Sequence, residues 1–194
     1  MSIYLIRHGE TAGNAERRLQ RPDVPLNVAG LEQARQLGER LRDAGVGHVL
    51  SSDLLRARQT AEAVVRATGS PIEFESLLQE RNFGDLRGRL YEELDPDLFS
   101  ESYDPPGGES GEVFRERVSR AWQRIVECSA EVEGRGHLAV VTHGLFYRVL
   151  FARHLLSPEA DASELPRPGN TALSIIDPTP PHEVALLACI AHLD

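Results

Sequence analysis

Four consecutive apolar residues, Ile3-Tyr4-Leu5-Ile6, stand at the start of the chain and give way at once to Arg7-His8-Gly9-Glu10. A short run rich in β-formers reads as a buried strand. Residues 11–26 are polar and broken by Pro22 and Pro25, which reads as loop. Leu31, Ala34, Leu37 and Leu41 then recur near a 3.6-residue period, predicting a helix capped by Asn27 and stopped by Gly45 and Gly47. Val49-Leu50 opens a second strand ending in Ser51-Ser52-Asp53. These polar residues suit the start of a helix that runs to about Thr68, with Gly69 and Pro71 beyond. Ile72 to Phe74 reads as a third strand. Residues 84–110 hold four prolines or glycines between Pro105 and Gly108 alone, interrupted only by a brief helical stretch near Leu90–Leu94. This pattern predicts an excursion from the core, and such excursions often wall a site.

Phe114, Val118, Ala121, Trp122 and Ile125 share one face of a further helix. Leu138 to Val141 is a strand running into Thr142-His143-Gly144, followed by an apolar helix to about Leu155. A loop rich in proline and acid is expected at 157–169. Two last strands follow, Thr171–Ile176 and Val184–Ile190, parted by the prolines of 178–181. Strands alternating with helices predict an α/β protein: a three-layer α/β/α sandwich around a mostly parallel sheet. With no repeat or linker in view, residues 1–194 read as one domain with a small cap-like excursion at about 84–110.

Composition narrows the chemistry. The 194 residues carry 21 basic and 30 acidic side chains, a net charge of −9. Nucleic acid and anionic membrane are therefore not expected partners. Every basic residue is arginine, which excludes Schiff-base lysines and the P-loop lysine. Two cysteines, Cys128 and Cys189, are too few for a disulfide framework or a cysteine zinc site. The first apolar run is too short for a signal peptide, and no stretch approaches a membrane span, so a cytoplasmic location is expected.

Two strands end alike: Ile6 leads into Arg7-His8-Gly9, and Val141 leads into Thr142-His143-Gly144. In open α/β sheets, ligands sit beyond the carboxyl ends of the strands near a topological switch point, so the two histidines are candidates to face each other there. Arg7 adjoins His8, and Arg56 falls in the first turn of the helix after Ser51-Ser52-Asp53. Guanidinium forks match phosphate oxygens, and a helix start favours anions. Two histidines and two arginines at strand ends describe a pocket for a phosphate dianion with a nucleophile in it. His48, His137, His154, His182 and His192 read as structural or exposed.

Nearly the whole chain resembles the histidine phosphatase superfamily, in its phosphoglycerate mutase-like branch. The resemblance rests on Leu5-Ile6-Arg7-His8-Gly9-Glu10-Thr11 with Asn14, and on Pro25-Leu26-Asn27 with Gly30, Gln33 and Ala34. It continues through Ser51-Ser52-Asp53-Leu54-Leu55-Arg56-Ala57-Arg58-Gln59-Thr60-Ala61 and Leu78-Gln79-Glu80-Arg81-Asn82-Phe83-Gly84. Pro106-Gly107-Gly108-Glu109-Ser110, Val141-Thr142-His143-Gly144 and Asn170-Thr171 complete it.

The resemblance implies a phosphoglycerate mutase-like fold and a reaction through phosphohistidine on His8. It implies that Arg7, Arg56 and His143 hold the phosphate, that Asn14 and Gly144 contact it, and that Glu80 donates the proton. Glu10 and Glu109, beside matched motifs, are lesser candidates for the acid. His8 must attack as a neutral ring, its other nitrogen donating to an acceptor such as a backbone carbonyl. His143 is expected to work as a cation against the dianion. No metal and no cofactor is implied, because arginines supply the positive charge.

The expected partner is a small phosphorylated metabolite. The chain lacks the lysine and paired arginines that the family's glycolytic mutases carry near the excursion; its nearest basic residues there are Arg115 and Arg117. It also has Arg21 where the family often has glycine after Gln20. Both departures favour a phosphomonoester phosphatase over a phosphoglycerate mutase. Two further readings are a non-catalytic phospholigand-binding module and a metallohydrolase using His8, His143 and Glu80.

Overall fold

The computed structural model describes residues 1–100, 102–155 and 167–194. A six-stranded sheet has the spatial order β3-β2-β4-β1-β5-β6. Its strands are β1 (Ile3–Arg7), β2 (Val46–Ser51), β3 (Ile72–Phe74), β4 (His137–Thr142), β5 (Leu173–Ile176) and β6 (Val184–Cys189). The pairings β3–β2, β2–β4 and β4–β1 are parallel, and β1–β5 and β5–β6 are antiparallel. Only β5 therefore runs against the rest, and the mostly parallel sheet expected from the sequence is present.

Alternation along β1 and β4 builds both cores, because successive strand side chains point to opposite faces. Ile3, Leu5, Leu138 and Val140 pack on one face beneath α4 (Gly111–Val132) and α5 (Gly144–Leu150). Tyr4, Ile6, Ala139 and Val141 pack on the other beneath α2 (Val28–Leu41) and α3 (Leu55–Thr68). The result is the three-layer sandwich.

Several local expectations shift. Residues 11–26 include a short helix, α1 (Ala12–Ala15), closed by a reciprocal cap between Thr11 and Asn14. Asn27 caps α2 as expected, its side chain accepting from Gly30 N at 2.7 Å. That helix ends at Leu41, ahead of the two glycines. Gly45 turns the chain at φ 68°, and Gly47 lies inside β2, where an added Cβ would meet Arg135 O at 2.5 Å. The cap of α3 is Leu54, not Ser51-Ser52-Asp53, and no side chain bonds at that cap position. β5 begins two residues later than expected, because Thr171 has φ 56° and cannot extend the strand. The stretch near Leu90–Leu94 is a single 3-10 turn, Tyr91–Glu93. The loop expected at 157–169 lies outside the described residues apart from 167–169.

The excursion folds on itself. Phe83 and Tyr91 meet Phe99 edge-on, with ring centroids 5.7 Å and 5.3 Å away, around a small cluster that includes Leu19, Leu86 and Leu98. Among the described residues no helix is long and apolar enough to cross a membrane.

Candidate active site

Register brings the two histidine motifs together. β1 and β4 are adjacent and parallel, with Arg7 opposite Thr142, and His8 N donates to Thr142 O at 2.9 Å. The residues after each strand therefore emerge side by side. The imidazoles of His8 and His143 lie 5.1 Å apart between centroids, tilted by 56°. Both are buried, at 3% and 0% exposure.

His8 Nδ1 lies 2.7 Å from Gly9 O. A carbonyl only accepts, so Nδ1 carries the proton and Nε2 carries the lone pair. Burial, with Arg56 and Arg7 close by, holds the His8 pKa well below the usual histidine value. The ring is therefore neutral at neutral pH. The Gly9 backbone is held from two sides: its N–H donates to Thr60 Oγ1 at 3.0 Å, and a Cβ on Gly9 would stand 2.7 Å from Gly30 O. Gly30 is tighter still, since its Cβ would fall 2.0 Å from Glu10 O.

Burial, followed by the charges of Arg56 and its neighbours, pushes the His143 pKa well below the usual value, so the ring is neutral here and not a standing cation. Its Nε2 shares a 2.8 Å hydrogen bond with Ser52 Oγ, which also accepts from Leu54 N at 3.3 Å. Its Nδ1 is buried with no hydrogen-bond partner.

Arg7 reaches in from the end of β1, and Nη1 donates to Pro168 O at 2.6 Å. Gly144 gives it room, since a Cβ there would lie 3.3 Å from Arg7 Nε. Arg56 enters from the first turn of α3, with Nη1 donating to Arg21 O at 3.2 Å. Burial lowers both guanidinium pKa values, Arg56 to about 10, with Glu80 pulling the other way in each case. Both stay charged at neutral pH. The Nε atoms of Arg7 and Arg56 are buried without partners. Unpaired buried donors cost roughly 1–3 kcal/mol each, and native proteins keep few of them. Their clustering beside His8 marks an anion site.

Glu80 stands opposite, after the 3-10 turn Ser76–Leu78. Its Oε1 accepts from Arg81 N at 3.0 Å and Phe146 N at 3.1 Å, and Oε2 accepts from Leu145 N at 2.9 Å. The start of α5 therefore positions both His143 and the Glu80 carboxylate. Arg81 does not pair with Glu80 through its guanidinium, which donates instead to the carbonyls of Glu109, Ser100 and Tyr103. Asn14 uses Oδ1 to accept from Thr11 N at 3.2 Å and Asn170 Nδ2 at 3.3 Å, which turns its donor end toward the pocket it lines.

One cavity of about 120 Å³ is lined by Arg7, His8, Asn14, Arg56, Glu80 and Gly144 together. His143 is not among its lining residues but packs against His8, which is. The sequence-expected residues thus converge, while the two lesser acids do not. Glu10 accepts from Asn27 Nδ2 at 2.8 Å, and Glu109 pairs with Arg117 at 2.8 Å; neither lines the cavity. Arg117 is likewise structural, clamping the carbonyls of Leu77 and Gln79 at 2.8 and 2.7 Å. Among the described residues no group of three or more His, Cys, Asp or Glu is placed to hold a metal ion. His8 and His143 are together, but the Glu80 carboxylate is engaged by backbone donors.

Sequence reasoning missed Ser52, Thr60 and Tyr91 as parts of this site. Ser52 and Thr60 lay within a matched motif and carried the signal; Tyr91 lay in the excursion without one. Tyr91 now lines the cavity, its hydroxyl pushed up by burial and by the Glu80 charge.

Fold and site together define an α/β protein with a buried anion pocket built on two neutral imidazoles at the carboxyl edge of its sheet. The chain belongs to the histidine phosphatase superfamily (branch 1), an enzyme family whose model matches residues 3–189. It is 38% identical over 187 residues to the "Probable phosphoglycerate mutase GpmB" of Salmonella paratyphi B, covering 91% of this chain and 85% of that one. The solved structure of YhfR from Bacillus stearothermophilus matches with a TM-score of 0.86 at 31% identity, over 100% of this chain and 99% of that one. A mycobacterial glucosyl-3-phosphoglycerate phosphatase, solved in complex with VO3, matches with a TM-score of 0.78 at 28% identity, over 91% and 90%.

Proposed function

We propose that this protein is a phosphomonoester phosphatase that works through a phosphohistidine on His8. The observation that carries the reading is the His8 ring: neutral, with Nδ1 committed to Gly9 O, and close to the buried Arg56 and the half-buried Arg7. Nε2 attacks phosphorus in line. Arg7, Arg56 and Asn14 hold the equatorial oxygens, whose charge they stabilise at the transition state. A bound dianion offsets the burial and the neighbouring charges that keep His143 neutral, so His143 takes up a proton with the substrate and becomes the third positive partner. As the P–O bond breaks, Glu80 gives its proton to the leaving oxygen. The resulting carboxylate then takes a proton from the water that cleaves the P–N bond, and phosphate departs.

Hydrolysis is favoured over isomerisation by this chain's own residues. It has no lysine, and Arg117 is occupied as a structural clamp outside the cavity. The mycobacterial neighbour named as a phosphatase agrees with this reading, whereas the Salmonella relative bears a mutase name. The reaction belongs to a phosphorylated small molecule, within a single domain.

The test is rapid acid quench and alkaline quench of the wild type turning over a 32P-labelled ester. The expected label is acid-labile, alkali-stable and located on His8. His8→Ala should lose it and lower turnover by ~10³-fold or more, as removal of a covalent nucleophile does. Near-normal turnover in that variant would sink the assignment. A panel including both phosphoglycerates, scored for free phosphate and for isomerised product, decides between hydrolysis and mutase activity.

A further inference from the structure

Thr171 is fully buried and has φ 56°, in the left-handed region, where a β-branched residue is rare. Such a conformation persists only where its surroundings hold it, and strain of this kind gathers at functional sites. Three contacts hold this one. The Thr171 N–H donates to His8 O at 3.3 Å, its hydroxyl donates to Asn170 O at 2.7 Å, and the hydroxyl oxygen lies 2.9 Å from His192 Nε2. His192 stands in the 3-10 turn Ala191–Leu193 and does not line the cavity that holds His8.

The proton inventory fixes the His192 tautomer. A threonine hydroxyl has one proton, and the Asn170 carbonyl, which only accepts, takes it. Thr171 Oγ1 therefore accepts from His192, so Nε2 carries the ring proton. Nδ1 carries the lone pair and accepts from Arg40 Nη1 at 3.0 Å, in the last turn of α2. Burial and the Arg40 charge push this ring down to about 4, which agrees with a neutral imidazole. Every donor points the same way, from Arg40 through His192 and Thr171 to Asn170 O.

That line of hydrogen bonds ends on the segment that supports His8. Asn170 Nδ2 donates to His8 O at 3.1 Å and to Asn14 Oδ1 at 3.3 Å. The His8 carbonyl is therefore gripped by both Asn170 and Thr171, and the same Asn170 amide turns Asn14 toward the phosphate pocket.

We propose that His192 is a positioning residue: by donating to Thr171 it locks the 170–171 segment that holds the His8 carbonyl and the Asn14 amide in place for phosphoryl transfer. As a statement about the reaction this rests on the phosphatase reading above; as a statement about the backbone it can be measured without turnover.

Three variants separate a hydrogen-bond donor from a filler of space. His192→Phe keeps a flat ring and removes both nitrogens. His192→Asn has an amide too short to reach Thr171 and serves as the second loss variant. His192→Gln returns an N–H near the position of Nε2. Amide hydrogen exchange of the full chain, read by NMR, reports the backbone, and steady-state kinetics on p-nitrophenyl phosphate reports the reaction. In the two loss variants the Thr171 N–H should exchange ~10-fold faster relative to the amides of β1 and β4, the ratio that loss of one buried hydrogen bond supplies. Their kcat should fall ~10–100-fold, the size of loss that a small misplacement of reacting groups causes. His192→Gln should recover most of both losses.

Unchanged exchange at Thr171, a loss of protection shared equally by β1 and β4, or a His192→Gln variant no better than His192→Phe would overturn the proposal. Faster exchange at Thr171 with full kcat would overturn the positioning role as well. Absence of turnover in the wild type, with the exchange pattern as expected, removes the phosphatase and keeps the hold of His192 on the His8 backbone.

Discussion

At the scale of single residues, the site works by contrast between groups of similar chemistry. His8 is fixed in one tautomer by Gly9 O, whereas His143 has one nitrogen bonded to Ser52 and the other unpartnered. In the proposed mechanism the first attacks and the second gains a partner. Glu80 accepts three backbone N–H bonds, so its carboxylate has a single position from which to serve both halves of the proposed reaction. Glu80→Gln removes the transferable proton while keeping the size of the side chain. It should lower kcat for alkyl phosphates by ~10²–10⁴-fold, the range general acids supply, and cost much less with p-nitrophenyl phosphate, whose leaving group needs no proton. Steady-state kinetics on the two substrates checks this, and equal losses on both would argue that Glu80 is not the acid.

At the scale of elements, the site is held by contacts between segments that are not catalytic themselves. Thr142 Oγ1 donates to Leu78 O at 2.9 Å, tying the end of β4 to the turn before Glu80. Arg117, on α4, grips the same segment through Leu77 O and Gln79 O and is itself paired with Glu109, with only 17% and 10% of the two side chains exposed. Breaking such a mostly buried pair typically costs ~3–5 kcal/mol. Arg117→Leu should therefore destabilise the fold by ~2–4 kcal/mol in urea titrations, discounted for the residual exposure. The folded fraction should also lose turnover, most strongly on poor leaving groups, because Glu80 is no longer held. Retention of full stability would show the clamp to be inert. The sequence marked Arg117 only as one of the nearest basic residues to where the mutases carry their arginine pair; the carbonyls it holds are 37 or more positions away and left no local signal.

At the scale of the whole molecule, the buried imidazoles make stability depend on pH. His8 and His143 both have folded pKa values well below 6.5, and burial also pushes His192 down to about 4. In the unfolded chain these rings titrate near ~6.5. Between the depressed folded values and 6.5, the unfolded state binds more protons, so stability is full above about 6.5 and falls as pH drops below it. Urea midpoints should therefore decrease from pH 7 to pH 5, before carboxylates begin to titrate. A flat or rising midpoint over that interval would contradict the neutral, buried histidine pair.

Local pattern was enough for most of the elements, because the 2- and 3.6-residue periods of β1, β4, α2 and α4 follow directly from which side chains must leave water. It was also enough to mark His8, His143, Arg7 and Arg56 as strand-end and helix-start residues, and the ordered motifs named Glu80 and Asn14. What it left undecided was adjacency. That β4 lies beside β1 in parallel register depends on packing the whole sheet between two helical layers, and only this adjacency sets the two imidazoles 5.1 Å apart. The charge state of His143 was likewise beyond local reading, since desolvation and the nearness of Arg56 are properties of the packed interior. So too was the outer cleft beside the phosphate pocket, which Arg148 and Arg167 line together from segments 19 positions apart. Sequence specifies which groups are present and their local conformation; tertiary packing decides which of them lose water together, and that shared loss sets their chemistry.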